Sequence, residues 1–163
     1  MLIRKLQITS VAALGLALAG AIPAAGQTSA SRGAVRVTVG YGLYYLDEPW
    51  QPVFGGSVRF HVYRRFSIEP EFMSSRNPTY RRWMFIPNVV FDLRGPGEKV
   101  TPYVIGGVGY SSELDKSINY KRSEMAWNGG FGARVRLKGG LFISPEFRIG
   151  SFMRAAVGIG YQF

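Results

Sequence analysis

Apolar and polar residues alternate along the chain from about residue 34 onwards. A period of two places successive side chains on opposite faces of the backbone, which is typical of a β-strand with two different faces. In the first such segment, Val37, Val39 and Tyr41 share one face, whereas Thr38 and Gly40 lie on the other. The same pattern predicts eight strands, at residues 34–45, 53–63, 66–73, 82–93, 100–110, 124–137, 141–149 and 154–163.

Turn-forming residues separate the predicted strands. Short connections are predicted at 64–65, 94–99 and 138–140, at one end of the strands. The connections at the opposite end are predicted at 46–52, 74–81, 111–123 and 150–153. The polar residues 111–123 are predicted to form a long loop. Such connections favour an up-and-down antiparallel sheet, in which an even number of strands leaves both chain ends on one side.

Four prolines lie in or near the predicted strands, namely Pro70, Pro87, Pro102 and Pro145. Proline has no backbone N–H and therefore removes one hydrogen bond from a ladder. Pro102 is close to the start of its strand. The other three predict either β-bulges or the periplasmic ends of their strands.

The first residues have the pattern of a secretory signal peptide. Arg4 and Lys5 precede an apolar run from Ile8 to Ala21, and small residues follow at Ala24 and Gly26. The run is short for a membrane-spanning helix, which needs about 20 residues. The sequence therefore predicts a cleaved signal peptide at 1–26, a short segment at 27–33 and one domain at 34–163, with cleavage after Ala30 as the second choice.

The composition limits the possible partners. The chain carries a formal net charge of +10, and removal of the two basic and no acidic residues of 1–26 leaves 10 − 2 = +8. An exported protein rarely meets nucleic acid, and the basic residues do not form one stripe, so no nucleic-acid partner is expected. Anionic lipid headgroups are the expected partner instead. The chain has no cysteine, so no disulfide holds it together.

Alternation alone fits both a membrane barrel and a secreted soluble lipocalin-like barrel. The polar face of the predicted strands combines many glycines with arginine and glutamate, which suits the crowded interior of an eight-stranded barrel. The apolar face carries bulky aromatic residues, as expected for a surface in lipid. The sequence therefore predicts an all-β protein, an eight-stranded antiparallel up-and-down transmembrane β-barrel, with the soluble barrel as a lower-ranked alternative.

Three segments carry a resemblance to a known family. They are residues 101–110 (TPYVIGGVGY), residues 129–135 (GGFGARV) and the C-terminal strand, in which Tyr161 and Phe163 end an amphipathic pattern. The chain resembles the bacterial outer membrane protein β-barrel domain family, small barrels related in shape to OmpA and OmpX. The resemblance implies a Gram-negative outer-membrane location, contact with lipopolysaccharide, and a terminal signal at Tyr161 and Phe163 for the barrel-assembly machinery. We expect a monomer.

The sequence offers little catalytic chemistry. Its one histidine, His61, is followed by Val62-Tyr63 and lacks the His-x-Ser spacing of outer-membrane lipid A deacylases. No cluster has metal-ligand spacing, and no phosphate-binding loop follows a strand. We therefore expect no catalytic residue, no metal and no cofactor, and a structural or surface-interaction role. A lipid-modifying or small-ligand-binding barrel is the alternative.

Two groups of charged residues are candidate sites. The first is a predicted charge network inside the barrel, made of Arg59, Glu69, Glu71, Arg134, Arg136, Glu146 and Arg148. Counting from the turns places Arg59 level with Glu69 and Glu71, and it places Arg134 diagonal to Glu146. We expect Glu71 to pair with a neighbouring arginine such as Arg59. The second is a basic group near the outer ends of the strands, which could bind lipopolysaccharide phosphate: Arg76, Arg81, Arg82, Lys121 and Arg122.

Overall fold

Eight strands form a closed barrel, and each strand is antiparallel to both neighbours. The computed structural model describes residues 33–44, 49–95 and 98–163, so the predicted signal peptide lies outside the described residues. The strands are β1 Gly33–Leu43, β2 Gln51–Tyr63, β3 Phe66–Arg76, β4 Tyr80–Asp92, β5 Val100–Asp115, β6 Tyr120–Arg136, β7 Leu141–Gly150 and β8 Met153–Gln162. The predicted all-β antiparallel barrel is confirmed. Among the described residues, no helix is long and apolar enough to cross a membrane.

The last strand closes the barrel against the first. β8 pairs with β1 from Ala34 opposite Gln162 to Leu43 opposite Met153. Gly33, the first described residue, and Phe163 therefore lie at one end of the barrel, which we call the terminal end, and the opposite end is the distal end. The terminal end also carries the β2–β3 turn at 64–65 and the β6–β7 turn, where Gly139 and Gly140 adopt positive φ angles of 71° and 83°.

The predicted long loop at 111–123 is wrong. β5 and β6 continue as a paired hairpin up to Asp115 opposite Tyr120, so only residues 116–119 form the turn. Polar composition suggested a loop, but residues 120–125 of β6 are exposed on both faces, so this arm of the hairpin needs no apolar phase. The Ser117 hydroxyl and backbone N–H donate to Asp115 at 2.6 and 2.8 Å and hold the pKa of its carboxyl below the usual value.

The apolar phase of the strands faces outward. Val37, Val39, Phe54, Phe131 and Ile159 are 50–66% exposed, whereas inner-phase residues such as Arg36, Thr38 and Glu69 are buried in the lumen. A soluble barrel would place these phases the other way round, because its apolar residues must leave water. The soluble lipocalin-like alternative is therefore wrong.

Apolar side chains fill the distal part of the lumen. Met84 and Ile86, on the inner phase of β4, join Val53, Met73, Ala126 and Phe152 in one buried cluster. Phe152 stacks on Tyr44 at 4.2 Å between ring centroids, and the Arg82 guanidinium lies 4.1 Å from the centroid of the Tyr44 ring. Side chains thus close the distal part of the barrel.

The strand prolines produce no bulge. Pro70, Pro87 and Pro145 lie within strands, on the outward phase, and the paired residues keep one register on both sides of each proline. The shift in register that does occur lies between His61 and Tyr63. The bulges predicted for these prolines are therefore wrong.

Candidate functional site

A buried charge network occupies the middle of the lumen, and Glu71 of β3 is at its centre. Arg154 of β8 donates to both Glu71 carboxylate oxygens at 2.7 and 2.8 Å, and Arg148 of β7 donates to Glu71 Oε2 at 2.9 Å. All three side chains are at most 3% exposed. A buried carboxylate with two charge-assisted arginine partners is held firmly in one position.

Glu146 of β7 occupies the equivalent position on the opposite wall. It accepts hydrogen bonds from Arg36 at 2.7 Å, Arg148 at 3.1 Å and Arg154 at 2.9 Å. The sequences around Glu71 (IEPEF) and Glu146 (ISPEF) are similar, and β3 and β7 are four strands apart in a barrel of eight. The two glutamates therefore meet across the lumen and share Arg148 and Arg154.

A second group of charges lies nearer the terminal end. The Arg59 side chain donates to Glu69 and lies 3.5 Å from Asp92, and Arg134 also donates to Asp92, at 3.3 Å. Arg59 therefore pairs with Glu69, one of the two glutamates with which it was predicted to be level, whereas the predicted pair of Arg59 with Glu71 is wrong. Arg134 is diagonal to Glu146 as predicted, since Glu146 is the register partner of Gly132, but its ion pair is with Asp92. Arg36 donates to Glu69 and Glu146 and so joins the two groups.

Six of the seven predicted network residues have buried side chains, and Arg136 is half-buried. The network has four further members that were not predicted: Arg36, Asp92, Tyr103 and Arg154. Arg36, Asp92 and Arg154 lie on the polar phase of their strands, so alternation alone could have found them. Tyr103 is aromatic and was not expected in a polar lumen, but its hydroxyl lies 2.7 Å from Ser144 and donates to Glu146.

The one histidine has a serine and an aspartate nearby. His61 Nε2 is 3.8 Å from an Asp92 oxygen, and Ser67 is the register partner of His61. His61 Nδ1 and Ser67 Oγ are both buried and have no hydrogen-bond partner. The three residues are therefore neighbours without forming a hydrogen-bonded triad. Among the described residues, no group of three or more His, Cys, Asp or Glu is placed to hold a metal ion.

Three cations form a row on the outward surface at the distal end. Arg76 of β3 is the register partner of Arg81 of β4, Leu114 of β5 follows, and Lys121 of β6 completes the row. The three basic side chains are exposed. We call Arg76, Arg81 and Lys121 the distal basic row. None of the three forms an ion pair with a described residue, and Arg76 and Arg81 stand side by side despite their like charge.

Aromatic residues lie below the distal basic row. Trp83 is two residues further along β4, and its ring lies 6.2 Å from Phe72 and 5.5 Å from Tyr110, measured between centroids. Two residues span about 7 Å along a strand. Cations above an aromatic belt are typical of the level at which a membrane protein meets headgroups.

One of the five predicted lipid contacts, Arg82, is wrong, and a second, Arg122, lies off the distal basic row. Arg82 lies on the inner phase of β4, is 1% exposed and pairs with Glu113 inside the barrel. Arg122 is exposed but also on the inner phase, and it pairs with Glu124 at 3.0 Å. Arg81 and Arg82 are adjacent, so a strand must send them to opposite faces.

The family model described as "Outer membrane protein beta-barrel domain" matches residues 13–163. No curated protein matches the chain in sequence. The N-terminal barrel of Pseudomonas aeruginosa OprF is similar in fold, with a TM-score of 0.66, 14% identity, and coverage of 83% of this chain and 100% of that chain. Neisserial surface protein A is similar with a TM-score of 0.67 and 9% identity, and the match covers 83% of this chain and 100% of that chain. The attachment invasion locus protein Ail of Yersinia pestis was solved in complex with the heparin analogue sucrose octasulfate. It is similar with a TM-score of 0.52 and 17% identity, and the match covers 81% of this chain and 99% of that chain.

Proposed function

The chain belongs to the outer membrane protein beta-barrel domain family, and from this premise we propose that its distal basic row binds phosphate groups of outer-leaflet lipopolysaccharide. The barrel is an integral outer-membrane protein with a structural or surface-interaction role. Its termini are expected to face the periplasm, which puts the distal end in the outer leaflet. The distal basic row is suited to a phosphate ligand, because arginine binds phosphate through two parallel hydrogen bonds and lysine adds a point charge.

The side-by-side position of Arg76 and Arg81 supports this proposal most strongly. Like charges directly opposite each other on neighbouring strands repel and destabilise the pair. An anion between them would turn that repulsion into attraction. The aromatic side chains of Phe72, Trp83 and Tyr110 below the row support a lipid source for the anion, since they lie on the same outward surface.

Changing Arg76, Arg81 and Lys121 to glutamine together is expected to lower the amount of co-purifying lipopolysaccharide about tenfold, if each cation contributes the ~0.5 kcal/mol of an exposed ion pair. The matched control changes Arg94, Lys99 and Lys138 to glutamine, which removes the same charge from exposed positions at the terminal end. Phosphate assay of lipid bound to folded, membrane-extracted protein gives the measurement.

Equal lipid retention in the two triple variants would contradict the lipid proposal. A sulfated glycan is the other polyanion to test, because Ail was solved with a heparin analogue. If the row variant keeps its lipid but loses binding to immobilised heparin, the row recognises a soluble polyanion instead of a headgroup.

We also propose that the barrel is not an enzyme. The unpaired Nδ1 of His61 and the unpaired hydroxyl of Ser67 support this, since a serine nucleophile needs a base within hydrogen-bond reach. Expression of the protein is expected to leave the mass spectrum of lipid A unchanged. A new lipid A species that the substitution His61→Ala abolishes would instead establish the lipid-modifying alternative.

A further inference from the structure

The buried part of the charge network contains more arginine than carboxylate. Arg136, at the terminal end of β6, is only half-buried and keeps contact with water. The other charged members are all buried, and they are five arginines and four carboxylates: Arg36, Arg59, Arg134, Arg148 and Arg154, against Glu69, Glu71, Asp92 and Glu146. One positive charge is therefore in excess. Because a buried charge without a partner is strongly unfavourable, this excess calls for a counter-ion.

A small cavity adjoins this network on its distal side. The polar part of its lining is Arg148, Arg154 and Asn128, and the apolar part comes mostly from the distal cluster: Met84, Ile86, Phe152 and Trp127. All of these residues except Trp127 are buried. The volume open to the centre of a water-sized particle is about 10 Å³. Such a volume accommodates a single water molecule or a monatomic ion.

Two arginine N–H groups at this cavity have no partner. The Nε atoms of Arg148 and Arg154 are buried and form no hydrogen bond with the described residues, whereas other nitrogens of both side chains hold Glu71 and Glu146. Asn128 Oδ1 already accepts from Arg148 at 3.4 Å. The polar lining therefore offers donors, since arginine has no acceptor atom. A water molecule would leave its own hydrogens without an acceptor among these three side chains, whereas an anion only accepts.

We propose that this cavity binds one chloride ion, which accepts hydrogen bonds from the Nε–H groups of Arg148 and Arg154. Its single negative charge cancels the excess of the buried network. Chloride suits the cavity better than phosphate or a carboxylate, because it is monatomic. Met84 borders the site, and its flexible side chain adapts to small changes in volume. The site lies inside the barrel and does not depend on the distal basic row.

The test measures the unfolding of the whole barrel, refolded into lipid vesicles, in mixtures of sodium chloride and sodium gluconate at constant ionic strength. Gluconate is too large for the cavity, so only chloride is varied at the site. An ion that binds the folded state alone raises the folding equilibrium constant in proportion to its concentration above the dissociation constant. The wild type is therefore expected to gain about tenfold in this constant for each tenfold increase in chloride.

Asn128→Asp places a carboxylate beside Arg148 at the cavity and supplies the missing negative charge from the chain itself. This variant is expected to lose the chloride dependence. Thr101→Asp is the matched control, because Thr101 is the buried register partner of Arg134 and does not line the cavity. It adds the same charge elsewhere in the lumen and should keep the tenfold gain. Heat-modifiable gel migration confirms that each variant is folded.

Bromide locates the ion directly and needs no variant. A crystal of the wild type grown in sodium bromide is expected to show an anomalous peak between Arg148 Nε and Arg154 Nε. A folding constant that does not change with chloride would overturn the proposal even where a bromide peak is seen, since such an ion would be adventitious only. Chloride dependence that Thr101→Asp abolishes and Asn128→Asp keeps would also overturn it. Where the variants do not fold or behave alike, the bromide position decides, and density only at another place refutes the assignment.

Discussion

Glu71→Ala is expected to destabilise the barrel by about 3–5 kcal/mol, because it removes one partner from a buried ion-pair network. Glu71 accepts hydrogen bonds from Arg148 and Arg154, and all three side chains are almost fully buried. Without Glu71, both arginines depend on Glu146 for a carboxylate within 3.5 Å. The loss leaves positive charge without compensation in a lumen where water is largely excluded.

The cost of Glu71→Ala is measured as the change in the free energy of unfolding in urea, for barrels refolded into lipid vesicles. Glu124→Ala is the matched control, since Glu124 pairs with Arg122 at 3.0 Å on the exposed part of the hairpin. That change should cost at most about 1 kcal/mol. A cost for Glu71→Ala as small as that of the control would mean that water solvates the lumen.

A double-mutant cycle with Arg154→Ala tests the pairing itself. The two substitutions together should cost less than the sum of the single costs, because each single change strands the charge that the other would have removed. Additive costs would show that Glu71 and Arg154 do not interact, whatever their separation in the folded barrel.

The barrel architecture could be predicted from the sequence because alternation carries two kinds of information at once. It marks the strands, and it divides their residues into an outward and an inward set. The same rule could have assigned Arg82 to the lumen, since Arg82 shares its phase with Asn88 and Asp92. The error came from grouping Arg82, the first residue of the strand predicted at 82–93, with the basic residues of the adjoining loop predicted at 74–81, where alternation would not apply.

The ion-pair partners could not be predicted in the same way. Turn counting relates residues on adjacent strands only, and Arg154 of β8 reaches Glu71 of β3 across the lumen. Which side chains meet across a barrel depends on the stagger of all eight strands, and a single strand does not reveal it.

Deletion of Phe163 is expected to lower the amount of folded barrel in the outer membrane severely. The Phe163 N–H donates to the Gly33 carbonyl at 3.0 Å, and the Gly33 N–H donates to the Phe163 carbonyl at 3.2 Å. These two bonds close the terminal end of the β8–β1 seam, and together they contribute about 2 kcal/mol. The ring of Phe163 lies against Gly33, where a Cβ atom would come within 2.8 Å of it.

A second variant separates closure of the β8–β1 seam from recognition of the aromatic terminus by the assembly machinery. Phe163→Ala keeps the backbone bonds that close the seam and removes only the ring, so it should refold into vesicles nearly as well as the wild type. If the assembly machinery reads the aromatic terminus, Phe163→Ala should still insert poorly in cells, as the deletion does. Normal levels of protease-resistant barrel in cells for both variants would refute the assembly role. Normal cellular levels for Phe163→Ala alone would assign the importance of this residue to closure of the seam.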